Sequence, residues 1–171
     1  MHRFLLASLQ LDVIAQCTTE REVKESLKQI PSDLNGTYDR TLERVDQQQE
    51  KRRNLAYRVL YWLSQAIRPL SVEELGQALA IREGDFDMDK TNIPKERIMV
   101  RVCMGLVVVD RDSSAIRLAH FSMQEYLQRH LEISEAKSLS AGKDVIAKTC
   151  LTILLFDEFS KGYCNSDSEF L

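Results

Sequence analysis

Apolar positions recur along this chain mainly at helical intervals. Leu5, Leu6, Leu9 and Val13 follow that period and predict an amphipathic helix at the start. Thr18 or Thr19 then stands as a cap ahead of Glu20-Arg21-Glu22, whose acids suit a first turn. Val23, Leu27 and Ile30 mark the inward stripe of this second helix, and Pro31 ends it. Ser32-Asp33-Leu34-Asn35-Gly36 reads as a turn. A third helix is expected over residues 37–49 with Tyr38, Leu42 and Val45 inward, and the polar run Gln47 to Arg53 reads as its end or as a join between two subdomains.

The next block has a different grammar. Leu55, Val59, Leu60, Trp62, Leu63 and Ala66 make a strongly apolar helix face, with Trp62 the expected centre of a core, and Arg68-Pro69 stops it. Ser71-Val72-Glu73-Glu74 is a capping box opening a short helix through Leu75, Leu79 and Ala80. An acidic loop follows from Glu83 to Asp89; it lacks the ligand order and closing glutamate of an EF-hand. Pro94 suits the start of a helix whose apolar face carries Ile98, Val102 and Cys103, and Gly105 closes it. Leu106-Val107-Val108-Val109-Asp110 reads as a strand, Arg111 to Ser114 as a turn, and Ala115 to His120 as the returning strand. Ser122 with Glu125 forms a capping box for a helix from Met123 to Leu131. Three helices followed by a hairpin make a winged helix. A last helix is expected over residues 143–156, after which the chain turns turn-like and is expected to stop mid-architecture.

The fold class is therefore mainly α. A helical subdomain (1–50) precedes a winged-helix domain with one β-hairpin (51–135), and a linker helix with the start of a further region (136–171) comes last. Composition agrees: the 171 residues are 44% apolar and 29% charged, and Gly and Pro number only 6 and 3, which favours helices over a β-sandwich. A net charge of −3 leaves no footprint for bulk nucleic-acid binding. Cys17, Cys103, Cys150 and Cys164 lie far apart without metal-ligand spacing, as reduced cytoplasmic thiols would. Met1 to Leu9 resembles a short signal sequence, but Gln10 and Asp12 interrupt its apolar run. No apolar run approaches the ~20 residues of a membrane span.

The candidate chemistry centres on His120. It stands at a strand-to-helix corner, where unpaired amides and the helix dipole favour anions. Spacing alone favours a packing histidine over a phosphate contact. Pairing Cys103 or Ser122 with His120 as nucleophile and base finds no supporting elbow, metal set or oxyanion loop. Lys95, Arg97, Arg101, Arg111 and Arg117 offer a DNA-binding face, yet Glu96, Asp110 and Asp112 interrupt it. Tyr57, Tyr61 and Trp62 have the spacing of core residues, not of a stacking platform.

Six stretches in order carry a family resemblance: Arg3 to Asp12, Ile30 to Arg40, Leu60 to Leu63, Arg68 to Leu75, Val102 to Val107, and His120-Phe121-Ser122-Met123-Gln124-Glu125-Tyr126-Leu127. Together they resemble the region following the nucleotide-binding core of fungal NACHT-type signalling NTPases of the STAND class, which often carry ankyrin or WD repeats. The winged helix there is of the GPI inositol-deacylase type. The resemblance implies a non-catalytic regulatory lid that closes over bound ADP, with His120 as a phosphate contact in the intact parent. It also implies an upstream nucleotide-binding domain and a downstream repeat domain in cis, and oligomerisation of the parent. No phosphate-binding loop G-x-x-x-x-G-K-[ST] occurs in the sequence, so ADP or ATP belongs to the parent and not to this chain alone.

Overall fold

A computed structural model of the chain describes residues 17–28, 33–134 and 141–156, together with Ala7, Leu11, Ile14 and Ala15. The amphipathic stripe expected from Leu5 to Val13 lies outside these residues. Helix α1 (Glu20–Lys28) begins with a reciprocal cap: Thr19 Oγ1 accepts the Glu22 amide, and the Glu22 carboxylate accepts the amides of Thr18 and Thr19. Of its expected inward stripe, Val23 is half-buried and Leu27 is 52% exposed, while Ile30 lies outside the described residues.

Helix α2 (Leu34–Asp46) starts earlier than its pattern suggests. Asp33 Oδ1 accepts the Gly36 amide at 2.7 Å, so Asp33 to Gly36, expected within a turn, are a cap and a first turn, and Ser32 lies outside the described residues. An Asp side chain serves either structure by the same bond to a nearby amide. Helix α3 (Glu50–Gln65) crosses the core and ends before the Arg68-Pro69 corner. Then come β1 (Leu70–Ser71), α4 (Val72–Ala80), a single 3₁₀ turn (Lys90–Asn92), α5 (Glu96–Val102), β2 (Val107–Val109), β3 (Ala115–Leu118), α6 (Phe121–Ser134) and α7 (Ala141–Leu154).

The capping box of α4 forms as expected: Ser71 Oγ accepts the Glu74 amide at 3.0 Å, and Glu74 Oε2 accepts the Ser71 amide at 2.8 Å. Pro94 lies just outside α5, whose N-cap is Lys95. After α5 the chain passes through two positive-φ residues, Met104 (50°) and Gly105 (87°), and the turn closes with Leu106 donating to Cys103. The wing turn is held by Asp110, whose Oδ1 accepts the amides of Asp112 and Ser113.

Strand β1 escapes sequence reading because two residues show no alternation. It exists by pairing: Leu70 stands opposite Ile116 and Ser71 opposite Ala115. The three strands run antiparallel in the order β1-β3-β2, so β3 is the centre of the sheet.

The core is built from Ala56, Val59 and Leu60 of α3, Leu75 of α4, Met99 of α5, Ile116 of β3, and Met123 and Leu127 of α6. Trp62 is not its centre. The turn of α3 that sends Val59, Leu60 and Leu63 inward leaves Trp62 at the edge, partly buried near Ile146 of α7, with its Nε1 buried and lacking a hydrogen-bond partner among the described residues. Helix α2 lies N-terminal to the boundary expected at residue 50, yet Tyr38, Leu42 and Val45 enter this same core. On α7, Thr149 and Thr152 are buried, while Leu151 and Leu154, with Leu155 just beyond, are exposed.

Candidate functional site at the start of α6

His120 caps α6. The helix begins at Phe121, and the Met123 amide donates to the His120 carbonyl at 3.1 Å. The imidazole takes the part usually played by a short polar side chain: its Nδ1 accepts the Ser122 amide at 3.2 Å. Ser122, expected as the cap, lies inside the helix instead. Its Oγ sits 2.7 Å from His120 Nδ1 and 2.9 Å from the Tyr38 hydroxyl of α2. The cause is geometric: Nδ1 reaches the second amide of the helix because β3 delivers the ring from outside the first turn.

A groove of about 330 Å³ runs between the Ile67–Pro69 corner and this helix start. His120, Arg68, Arg117 and Gln124 are its polar members. Arg68 spans both carboxylate oxygens of Glu74, at 3.1 and 2.5 Å, and this hydrogen-bonded contact, with the Ser71 amide second, lowers the Glu74 pKa to about 2. Gln124 donates to the Ser64 carbonyl at 3.1 Å. Two apolar side chains frame the opening: Ile67 is fully exposed, and Phe121, 63% exposed, lies against the imidazole with centroids 4.3 Å apart and ring planes tilted by 33°. His120 Nε2 has no contact with solvent, so a ligand reaches it only when neighbouring side chains move.

Of the other sequence candidates, Arg117 lines this groove, while Cys103, Ser122 and the remaining basic residues of the expected DNA-binding face do not. Cys103 is wholly buried with its Sγ 4.0 Å from the Ala56 carbonyl, and burial pushes its thiol pKa upward, the reverse of nucleophile activation. The Ser122 hydroxyl is engaged by His120 and Tyr38 in the helix cap. Helix α5 has only seven residues, and Arg111 of the wing pairs with its Glu96 at 3.2 Å, which removes charge from the face a DNA backbone would need. In the acidic loop, Asp85 accepts the Arg82 amide and Asp89 the Thr91 amide. Among the described residues no three metal-ligating side chains gather. Tyr38 was legible only as a core residue. No local pattern links it to Ser122, 84 positions away.

Helix, strand, two helices, strand, wing and strand, in that order, define a winged helix, a non-catalytic type of domain. Residues 42–141 match the family model of the GPI inositol-deacylase winged helix domain, and the chain belongs to that family. It is similar to azaphilone pigments biosynthesis cluster protein L of Monascus ruber, with 30% identity over 150 residues that cover 80% of this chain and 31% of that protein. The chain thus spans about a third of the length of this curated relative. No solved structure matches it. No helix among the described residues is long and apolar enough to cross a membrane.

Proposed function

We propose that this winged helix is the regulatory lid of a NACHT-type signalling NTPase in the cytoplasm, closing in cis over ADP held by an upstream nucleotide-binding domain. It does no chemistry; it couples nucleotide state to domain opening. The observation that carries the reading is the corner at His120. An imidazole whose Nδ1 accepts a helix-start amide carries its proton on Nε2, and the ring lines a groove with Arg68 and Arg117. In this reading the closed state requires Phe121 or the Ile67–Pro69 corner to shift so that Nε2 meets a phosphate oxygen. The exposed leucines 151, 154 and 155 suit contact with repeats downstream of α7.

A hydrogen bond to a charged group contributes about 1.5–3 kcal/mol, so losing one shifts a closed–open equilibrium by roughly ten- to a hundredfold. His120→Ala in the full-length parent is therefore expected to speed ADP release and raise spontaneous activation by that order. Unchanged release and signalling would reject the lid. DNA binding is the alternative, and the Arg111–Glu96 pair counts against it. A steep salt dependence of duplex binding by this chain would favour it.

A further inference from the structure

We infer that Tyr38 is a positioning residue for His120: through Ser122 it holds the imidazole in its Nε2–H tautomer and ties that tautomer to the seating of α2. The inference rests on the lid reading for the identity of the ligand, and on geometry alone for the tautomer.

One backbone amide sets the direction of the whole chain of bonds. An amide N–H only donates, so the 3.2 Å contact from the Ser122 nitrogen makes His120 Nδ1 an acceptor. Ser122 Oγ, 2.7 Å from the same Nδ1, then has to turn its own proton toward it. That leaves the oxygen's lone pairs as acceptors, and the Tyr38 hydroxyl at 2.9 Å donates to them. Tyr38 polarises Ser122, and Ser122 strengthens the bond to Nδ1. The ring proton is thereby placed on Nε2, the atom that suits an anionic oxygen.

Tyr38 is well placed for this work. It is 1% exposed, and its ring packs against Tyr126 with centroids 5.1 Å apart. The Tyr126 hydroxyl in turn donates to Asp39, the next residue of α2. Helix α2 is thus fastened to α6 through two successive residues, and one of these fastenings ends at the histidine. Withdrawal of α2 removes the first donor, releases the Ser122 hydroxyl to rotate, and leaves Nδ1 with the longer amide bond alone.

The test is long-range ¹H–¹⁵N spectroscopy of the histidine rings in this chain, with His120 assigned through His120→Gln. Wild type is expected to show the Nε2–H tautomer. Ser122→Ala is expected to lower the ratio of Nε2–H to Nδ1–H by roughly fivefold, the effect of one neutral hydrogen bond; Tyr38→Phe, which keeps the ring and acts only through Ser122, is expected to lower it by about 1.2- to 1.7-fold, the cooperative share of that bond. Ser122→Thr retains a hydroxyl and is expected to keep the ratio. Tyr126→Phe, which removes the neighbouring fastening and leaves the Tyr38–Ser122 bond in place, is expected to leave it near wild type. A dominant Nδ1–H form in wild type, an unmoved ratio in Tyr38→Phe, or an equal fall in Tyr126→Phe would each overturn the inference. Normal ADP retention in the parent's His120→Ala variant, with the tautomer shifts as expected, would overturn the lid and leave Tyr38 as a positioning residue.

Discussion

The Tyr126 hydroxyl of α6 donates to Asp39 Oδ1 of α2, joining side chains 87 positions apart. Tyr126 is buried and Asp39 is exposed, so the bond lies between a core and a wet surface. Tyr126→Phe is expected to cost about 1–2 kcal/mol, seen as a lower urea midpoint at unchanged slope.

The same phenol carries a pH dependence. Burial first, and the bond to Asp39 second, raise the Tyr126 pKa above its ordinary value of 10.0. Burial and Asp46 do the same for Tyr57, whose hydroxyl donates to Asp46 at 2.7 Å. An acid whose folded-state pKa is raised adds stability that is complete below the unfolded value and is lost as pH climbs beyond it. Stability is therefore expected to fall from pH 10 upward, with Tyr57 and Tyr126 missing from the ordinary range of an ultraviolet phenolate titration of the folded chain. Ionisation of every tyrosine near pH 10 in the folded state would contradict this.

Glu74 gives the opposite sign. Its pKa is lowered from 4.5 to about 2 by Arg68 and the Ser71 amide. Its contribution is complete above pH 4.5 and drains away as pH drops toward 2. Glu74→Gln is expected to flatten the acid side of the stability profile, compared by urea melts at neutral and acid pH. Ser71→Ala removes the partner hydroxyl of the same capping box and is expected to cost about 0.5–2 kcal/mol at pH 7.

Leu60 and Trp62 are neighbours with unlike burdens. Leu60→Ala empties a fully enclosed site and is expected to cost about 2–5 kcal/mol. Trp62→Phe deletes a buried N–H that has no partner among the described residues, so it is expected to be neutral or mildly stabilising. Thermal melts of the two variants decide this. A larger loss in Trp62→Phe would restore Trp62 to the centre of the core.

Thiol chemistry separates the described cysteines. In a Cys164→Ser background, Cys150 is exposed and is expected to react with a disulfide reagent in the native state. Cys103 is expected to react only on unfolding, with Cys17 between the two.

The winged helix was legible where local chemistry decides structure. The box at Ser71 and Glu74, the β-branched run at Val107 to Val109, and the buried set Tyr38, Leu42 and Val45 all follow from spacing within one element. Three features did not follow. Strand β1 is made only by its partner Ile116. Trp62 is displaced because the helix face is set by packing, and size alone does not choose it. The cap of α6 went to His120, since whether Nδ1 reaches an amide depends on the direction from which β3 arrives. The links from Tyr38 to Ser122 and from Tyr126 to Asp39 join residues so distant in sequence that no periodicity encodes them.

Strand β3 is bonded on both sides, to Leu70-Ser71 and to Val107–Val109, and it runs almost directly into His120. A ribbon anchored along both flanks is a fixed post. The wing is then a poor lever on the imidazole, and adjustment of that ring has to arrive from across the molecule, along the helix that carries Tyr38.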